Sequence, residues 1–197
     1  MIVYFRPMRN KDESKQEAII KATVKLVNKI GFVSSSVAKI ANEANVSPAT
    51  IYIYYKNKED LLVSTYEDIK RKMSEALLKN FDESKPFRDI LRTIWFNGFE
   101  HIAKNSEYYQ YTEQFARSPY SELVDPAKIE KHFAPMKRVL DRAIEQKVIK
   151  DVPFDMLTVF LLHPMLLLAN PRLCHDIKLN DETIEKAFSL AWDAVKL

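Results

Sequence analysis

Between Asp12 and Ile30 the apolar residues Ile19, Ala22, Leu26 and Ile30 recur at helical spacing, with Lys21, Lys25 and Lys29 on another face. The pattern predicts a helix over 12–30, closed by Gly31 where a C-cap glycine belongs. "SSSVAKIANEAN" predicts a short second helix over 35–44, N-capped by Ser35 or Ser36 and turned inward at Val37, Ile40, Ala41 and Ala44. After the break "NVS", Ser47 and Pro48 mark a third start: a serine can cap it, and proline loses no hydrogen bond at the first position. The five residues that follow the next turn, Ile51 to Tyr55, are all isoleucine or tyrosine. Alternation would suit a strand, but no other stretch offers a partner, and Ser-Pro is a helix start. On a helix over 48–55, Ile51 and Tyr55 share the core face. Ala49, Thr50 and Ile53 fall opposite, with Tyr52 and Tyr54 on the flanks.

The remainder also reads as helix. A long segment over 58–80 turns Leu61, Leu62, Tyr66, Ile69, Met73 and Leu77 inward. Pro86 opens another, through Lys104, with Ile90, Ile94, Trp95 and Phe99 as its apolar stripe. The segment over 126–147 contains Pro135, which predicts a kink or restart. Two apolar helices, 153–169 and 181–196, end the chain. The expected fold class is all-α. An N-terminal three-helix helix-turn-helix domain precedes a larger helical domain. Its expected divisions are a flexible extension (1–11), a helix-turn-helix domain (12–57) and a larger helical domain (58–197).

Composition narrows the chemistry. The 197 residues hold two glycines, Gly31 and Gly98, too few and too far apart for a dinucleotide fingerprint or a P-loop. No G-x-S-x-G or H-E-x-x-H stands in the sequence, and no carboxylate or nucleophile-base pair suggests catalysis, so no enzyme, cofactor or metal is expected. Cys174 is the single cysteine and suits a reducing compartment; beside His175 it makes a poor metal pair. "MIVYF" is too short for a secretory leader, and either Met1 or Met8 fits as the native start. The apolar run 156–170 is interrupted by His163 and Pro164 and is short of a membrane span, so a cytoplasmic protein with no membrane partner is expected.

The net charge of +3 is unevenly spread: residues 1–58 hold ten Lys/Arg against four Asp/Glu, and the remainder twenty against twenty-three. An anionic partner is therefore expected at the N-terminal end. Three helices of this size suit a unit that lays its last helix in the DNA major groove. Tyr52 and Tyr54 can each offer a hydroxyl to phosphate, and Ser36 and Ser47 lie at helix N-termini that attract one. Lys39 and Lys58 add positive charge. Pro48, Ala49, Thr50 and Ile53 are small or apolar, apt for base edges and thymine methyls. The competing reading, a tyrosine cluster turned to the core or to another partner, stays open on composition.

"SSSVAKIANEANVSPATIYIYYKNKEDLL", Ser34 to Leu62, resembles the DNA-binding domain of TetR-type transcriptional regulators. Val37, Ile40-Ala41, Ala44, Val46-Ser47, Thr50, Tyr52, Tyr54, Lys58 and Leu61 match that pattern in register, and a helix ending in Gly31-Phe32 also fits. Asn45 departs from the usual turn glycine, and Tyr55 from the usual phenylalanine. The resemblance covers about residues 12–62 and implies a homodimer, a double-stranded DNA operator of two related half-sites and a small-molecule effector, with repressor preferred over activator. A helical ligand-binding protein that no longer binds DNA is the alternative. It further implies that residues 58–197 are a helical ligand-binding (effector-binding) and dimerisation domain, dimerising through the last two helices, for which Phe160, Ile184, Phe188, Ala191, Trp192 and Val195 are candidates; internal core is the competing reading of that stripe. Met73, Trp95, Phe99, Tyr108, Tyr111 and Phe115 are the candidate walls of a cavity for an apolar or aromatic effector.

Overall fold

The computed structural model describes residues 9–170, 174 and 180–197. The expected extension therefore lies largely outside the described residues, as does His175. In chain order the elements are α1 (Arg9–Ser34), α2 (Val37–Glu43), α3 (Pro48–Tyr54), α4 (Lys58–Leu77), α5 (Phe87–Lys104) and α6 (Ser106–Ala116). A 3-10 turn (Pro119–Leu123) leads into α7 (Pro126–Glu145), α8 (Phe154–Leu161), α9 (His163–Leu168) and α10 (Asp181–Val195). No strand forms among the described residues; a lone bridge joins Ile149 to Lys196.

The chain divides into two compact units, one of residues 1–68 and 107–124, the other of 69–106 and 125–197. The division falls inside α4 rather than at residue 57, and the segment that carries α6 groups with the N-terminal helices. Aromatic packing accounts for this. Phe32 sets its ring edge-on to Tyr111 at 5.5 Å and Phe115 at 5.9 Å, and Tyr66 stacks on Phe115 at 4.4 Å. The Tyr111 hydroxyl donates to the Leu62 carbonyl at 2.9 Å, and burial holds its pKa well above the ordinary tyrosine value.

Within the first unit Ile19, Ala22, Ile40, Ala41, Ile51, Tyr55 and Leu61 form the core that joins α1 to α4. Gly31, at φ 77°, breaks the regular course of α1 before its last residues. Ile30 is exposed rather than inward, because the stripe has rotated off the core face by that turn. Ser35 is buried with its hydroxyl on the Gly31 carbonyl at 2.7 Å, so Ser36 is the N-cap of α2, accepting from the Lys39 N–H at 3.3 Å. The α2–α3 turn closes as a Schellman motif: Asn45 N–H donates to Asn42 O (3.1 Å) and Val46 N–H to Ala41 O (2.9 Å). Asn45 takes the left-handed conformation there, φ 53°, which asparagine tolerates better than most residues.

In the second unit α5 is the central element, burying Phe87, Ile90, Leu91, Ile94, Trp95, Phe99 and Ile102. Arg92 ties it to Glu185 of α10 at 2.6 Å. Helix α7 runs through Pro135 without a restart, its inner face held by Met136, Val139, Leu140 and Ala143. The segment expected as one helix over 153–169 is instead two. Leu162 departs to φ −107° before Pro164, whose ring and missing N–H do not continue α8.

The Tyr55 hydroxyl is buried without a hydrogen bond of good geometry; burial raises its pKa, while the nearby Gln16 side chain partly offsets that rise. A buried donor left unmatched costs about 1–3 kcal/mol, whereas an isosteric apolar group costs little. Tyr55→Phe is therefore expected to raise unfolding stability by about 1 kcal/mol, read as a higher midpoint in urea with an unchanged slope.

Candidate nucleic-acid interface and ligand cavity

Helix α3 is set by its ends. The Ser47 hydroxyl accepts from the Thr50 N–H at 3.2 Å and lies 2.9 Å from the Thr50 hydroxyl, while Pro48 opens the helix. At the other end the Tyr55 N–H donates to Ile51 O at 3.0 Å. With Ile51 and Tyr55 anchored inside, Pro48, Ala49, Tyr52 and Ile53 are left outward; Tyr52 is 56% exposed and Ile53 78%. Thr50 and Tyr54 are half-buried, the Tyr54 ring lying against the core. Ser36 and Lys39 are exposed at the start of α2, where the Lys39 ammonium reaches Ser34 O at 3.1 Å. Nine of the ten residues proposed for DNA contact thus lie on α3 or at the N-terminal end of α2.

Lys58 is the tenth, and its ammonium is engaged elsewhere. It donates to Phe32 O at 2.7 Å and Val33 O at 3.3 Å, capping the end of α1. Carbonyls left open at a helix C-terminus attract a cation, so this lysine joins α4 to α1 inside the head. Its neighbour Lys56 is exposed at the α3–α4 junction, and only its backbone N–H is used, on Asp60 at 2.8 Å. The family pattern places its lysine at residue 58, so the sequence does not single out Lys56.

The six residues expected to line one cavity divide between the two units. Tyr108, Tyr111 and Phe115 belong to the first unit, where Tyr111 and Phe115 are wholly buried; Met73, Trp95 and Phe99 belong to the second. Trp95 is core, its indole N–H on Leu161 O at 2.5 Å, and Phe99 is core beside it on α5. Of the six, Met73 alone lines the large cavity of the second unit, about 390 Å3 in volume. Leu77, Ile129, Phe133, Met136, Phe154, Leu162 and Met165 supply most of its walls, and Lys70 reaches it from α4. Burial lowers the Lys70 pKa from the ordinary lysine value. The α7 and α8–α9 walls have no motif in the sequence; their amphipathic periodicity, with apolar residues more numerous than one core face needs, was the available signal.

The expected dimer stripe is also out of phase. Phe188, Ala191 and Val195 face the subunit's own core, with Phe188 edge-on to Trp95 at 5.8 Å. Ile184 and Trp192 are half-buried, Trp192 near Phe87. Phe160 is 52% exposed, and with Met156 and Val159 it forms an outward apolar face on α8. Leu190, Ala194 and Leu197 form a matching exposed row at the end of the chain, Leu190 being 74% exposed. A recess of about 100 Å3, lined by Met156, Phe160 and Ala194 among others, joins the two rows. Among the described residues no cluster of three metal-ligating side chains occurs, and no helix is long and apolar enough to cross a membrane.

The profile described as "Bacterial regulatory proteins, tetR family" matches residues 19–65, and "Tetracyclin repressor-like, C-terminal domain" matches residues 86–196. The chain belongs to the TetR family of transcriptional regulators. A crystal structure of a TetR family transcription regulator from Marinobacter aquaeolei VT8 is 37% identical, covers 96% of this chain and 99% of its own, and superposes with a TM-score of 0.89. An uncharacterized HTH-type transcriptional regulator of Haemophilus influenzae is 28% identical over 96% of this chain and its own full length. A Bacillus subtilis relative named fatty acid metabolism regulator protein is 33% identical over 45% of this chain and 46% of its own. In this TetR-family chain the helix-turn-helix is α2 and α3, and the C-terminal profile spans α5 to α10.

Replacing Lys58 tests the role of its cap. Lys58→Met is expected to destabilise the head by about 1–2 kcal/mol and to leave the slope of DNA affinity against salt unchanged. Lys56→Ala is expected to leave stability unchanged and to reduce that slope by about one. Salt titrations of DNA binding, run beside urea unfolding, separate the two lysines.

Proposed function

We propose that this TetR-family regulator is a ligand-responsive repressor that binds a two-half-site operator as a homodimer and is released by a small, largely aliphatic effector. The observation that carries the reading is the outward surface of α3, where Tyr52 and Ile53 stand clear of a core that holds Ile51 and Tyr55. Side by side on one outward face beside Ala49, Tyr52 and Ile53 offer an apolar and aromatic surface that a groove can cover. In this reading Ala49, Thr50 and Ile53 meet base edges, and Tyr52 and Tyr54 give hydroxyls to phosphate. Ser36, Lys39, Ser47, Pro48 and the newly assigned Lys56 flank that contact. Lys58 acts indirectly, by holding α1 against the start of α4.

Two recognition helices must lie about 34 Å apart, or a multiple of it, to reach successive major grooves on one face of DNA. The exposed rows Met156–Val159–Phe160 and Leu190–Ala194–Leu197 supply the apolar surface that pairing requires. The cavity of the second unit supports the effector reading, because it falls within the common range for small-molecule sites and is walled mainly by aliphatic side chains and methionine. The name of the Bacillus subtilis relative accords with an aliphatic effector.

A genomic pull-down followed by footprinting is expected to return a site of two related half-sites. Ile53→Ala should then relax base preference by about 1 kcal/mol at one position per half-site, with its salt slope retained. A pull-down without sequence enrichment would end this reading. Phe160→Asp with Leu190→Asp should yield a folded monomer by sedimentation that loses operator binding at concentrations where the parent binds fully. A double variant that stays dimeric would exclude these rows as the interface.

A further inference from the structure

Glycine weakens the interior of a helix relative to alanine, yet α5 buries Gly98 in its interior. A close approach accounts for it. Gly98 lies against Met165 of α9: a Cβ at residue 98 would stand 2.8 Å from the Met165 Cε, nearer still to its Sδ, and 3.6 Å from a Leu77 methyl. The place of the missing side chain is thus the seat of the thioether. Met165 and Leu77 both line the second-unit cavity and are the most deeply buried of its lining residues, so they close its inner end.

The outer end is polar. Glu130, Lys137 and His163 line the cavity but are exposed, and Lys137 is paired with Asp141 at 2.9 Å, so these groups stand at the mouth. Lys70, the remaining ionisable group on the lining, is half-buried and already engaged. Charges that water and salt reach discriminate weakly between one head group and another. Between mouth and inner end the walls are Met73, Ile129, Phe133, Met136, Leu162 and Leu166, which offer apolar contact that grows with the area covered. At the ~30 Å3 that a water molecule occupies in the liquid, the cavity of about 390 Å3 accepts roughly a dozen heavy atoms.

We propose that this cavity measures length: it receives one aliphatic chain of about ten carbons whose polar end stays at the mouth, and Gly98, by seating Met165, sets the longest chain that fits. The assignment rests on the reading of the second unit as the effector sensor and names the chemistry of that effector. A methyl at residue 98 must displace the thioether, which is the flexible end of its side chain, and the open space beside it is the cavity. The inner end then loses depth while the mouth is untouched. Each methylene that the walls cover raises affinity about fourfold, and one with no room adds nothing.

Calorimetric titration of the whole protein with hexanoate, octanoate, decanoate and dodecanoate, each below its micelle concentration, tests this. Affinity is expected to climb about fourfold per methylene as far as decanoate and to level off at dodecanoate. Gly98→Ala is expected to lower decanoate affinity about fourfold or more and to leave hexanoate unchanged. Met165→Ala removes the displaced group, so it should carry the climb on to dodecanoate, and adding it to Gly98→Ala should restore decanoate. Equal losses for hexanoate and decanoate in Gly98→Ala, or a double variant no better than Gly98→Ala, would overturn the depth assignment. A levelling point that Met165→Ala does not move would overturn it as well, whether or not Gly98→Ala folds. Decanol and decyltrimethylammonium are expected to bind within about tenfold of decanoate, and a wider spread among the three would overturn the placing of the polar end at the mouth. A gel-shift arm keeps the two readings apart. Decanoate that binds with the expected length profile but leaves DNA affinity unmoved ends the effector reading alone. Intact DNA binding with no alkanoate bound ends the length assignment alone.

Discussion

The burial of Ile51 and Tyr55 is the constraint on which the rest of the head depends. Helix α3 has seven residues, well short of the length at which an isolated helix persists in water. Its cap, Ser47 onto the Thr50 N–H, contributes about 1 kcal/mol. Burying an isoleucine and a large aromatic ring contributes about 1.5–3 kcal/mol each, so packing decides whether the helix exists and the cap decides where it starts. The same two anchors fix its rotation. Tyr52 and Ile53, on the turn between the two anchors, are thereby presented outward together.

Much of this was legible in the chain, and the reason is local. Ser-Pro, the four-residue spacing of Ile51 and Tyr55, and Asn45 in the turn each act within a few positions of themselves. The third helix, its inward face and the tolerated turn therefore followed from neighbours in sequence. The α10 stripe failed for a different reason. Ile184, Phe188, Ala191 and Val195 do form a face, but a helix carrying two apolar faces leaves open which one is spent internally. Phe188 settles against Trp95, a residue 93 positions away, and the row of Leu190, Ala194 and Leu197 is left exposed. Periodicity gives the phase of a stripe, and the partner that covers it is a long-range fact.

Lys58 and the aromatic segment 108–120 illustrate the same limit. A lysine in the matching position carries a charge wherever it points, and the carbonyls at Phe32 and Val33 that capture it lie just past the break that Gly31 makes in α1. The tyrosines and Phe115 were read as cavity walls because aromatic density is common to both cavities and cores. Phe32 and Tyr66 fill the space against Tyr111 and Phe115, and the hydroxyl of Tyr111 is satisfied by a backbone carbonyl, so these two wholly buried rings have no surface left for a ligand.

In the proposed reading, helix α4 belongs to both the DNA-binding and the ligand-binding parts of the chain. Its first residue, Lys58, caps α1; its later turns present Lys70, Met73 and Leu77 to the cavity. A ligand changes the DNA-binding state only by the difference in its affinity for the two states, so tight binding by itself accomplishes nothing. Met73 and Leu77, which α4 places on the cavity wall, are suited to create such a difference. Dispersion is short-ranged: a gap of about 0.5–1 Å forfeits roughly a quarter to a half of each contact. Summed over the contacts that an aliphatic ligand makes with α4, a rotation or slide of that size is on the scale of the coupling energies of about 1–3 kcal/mol typical between linked sites.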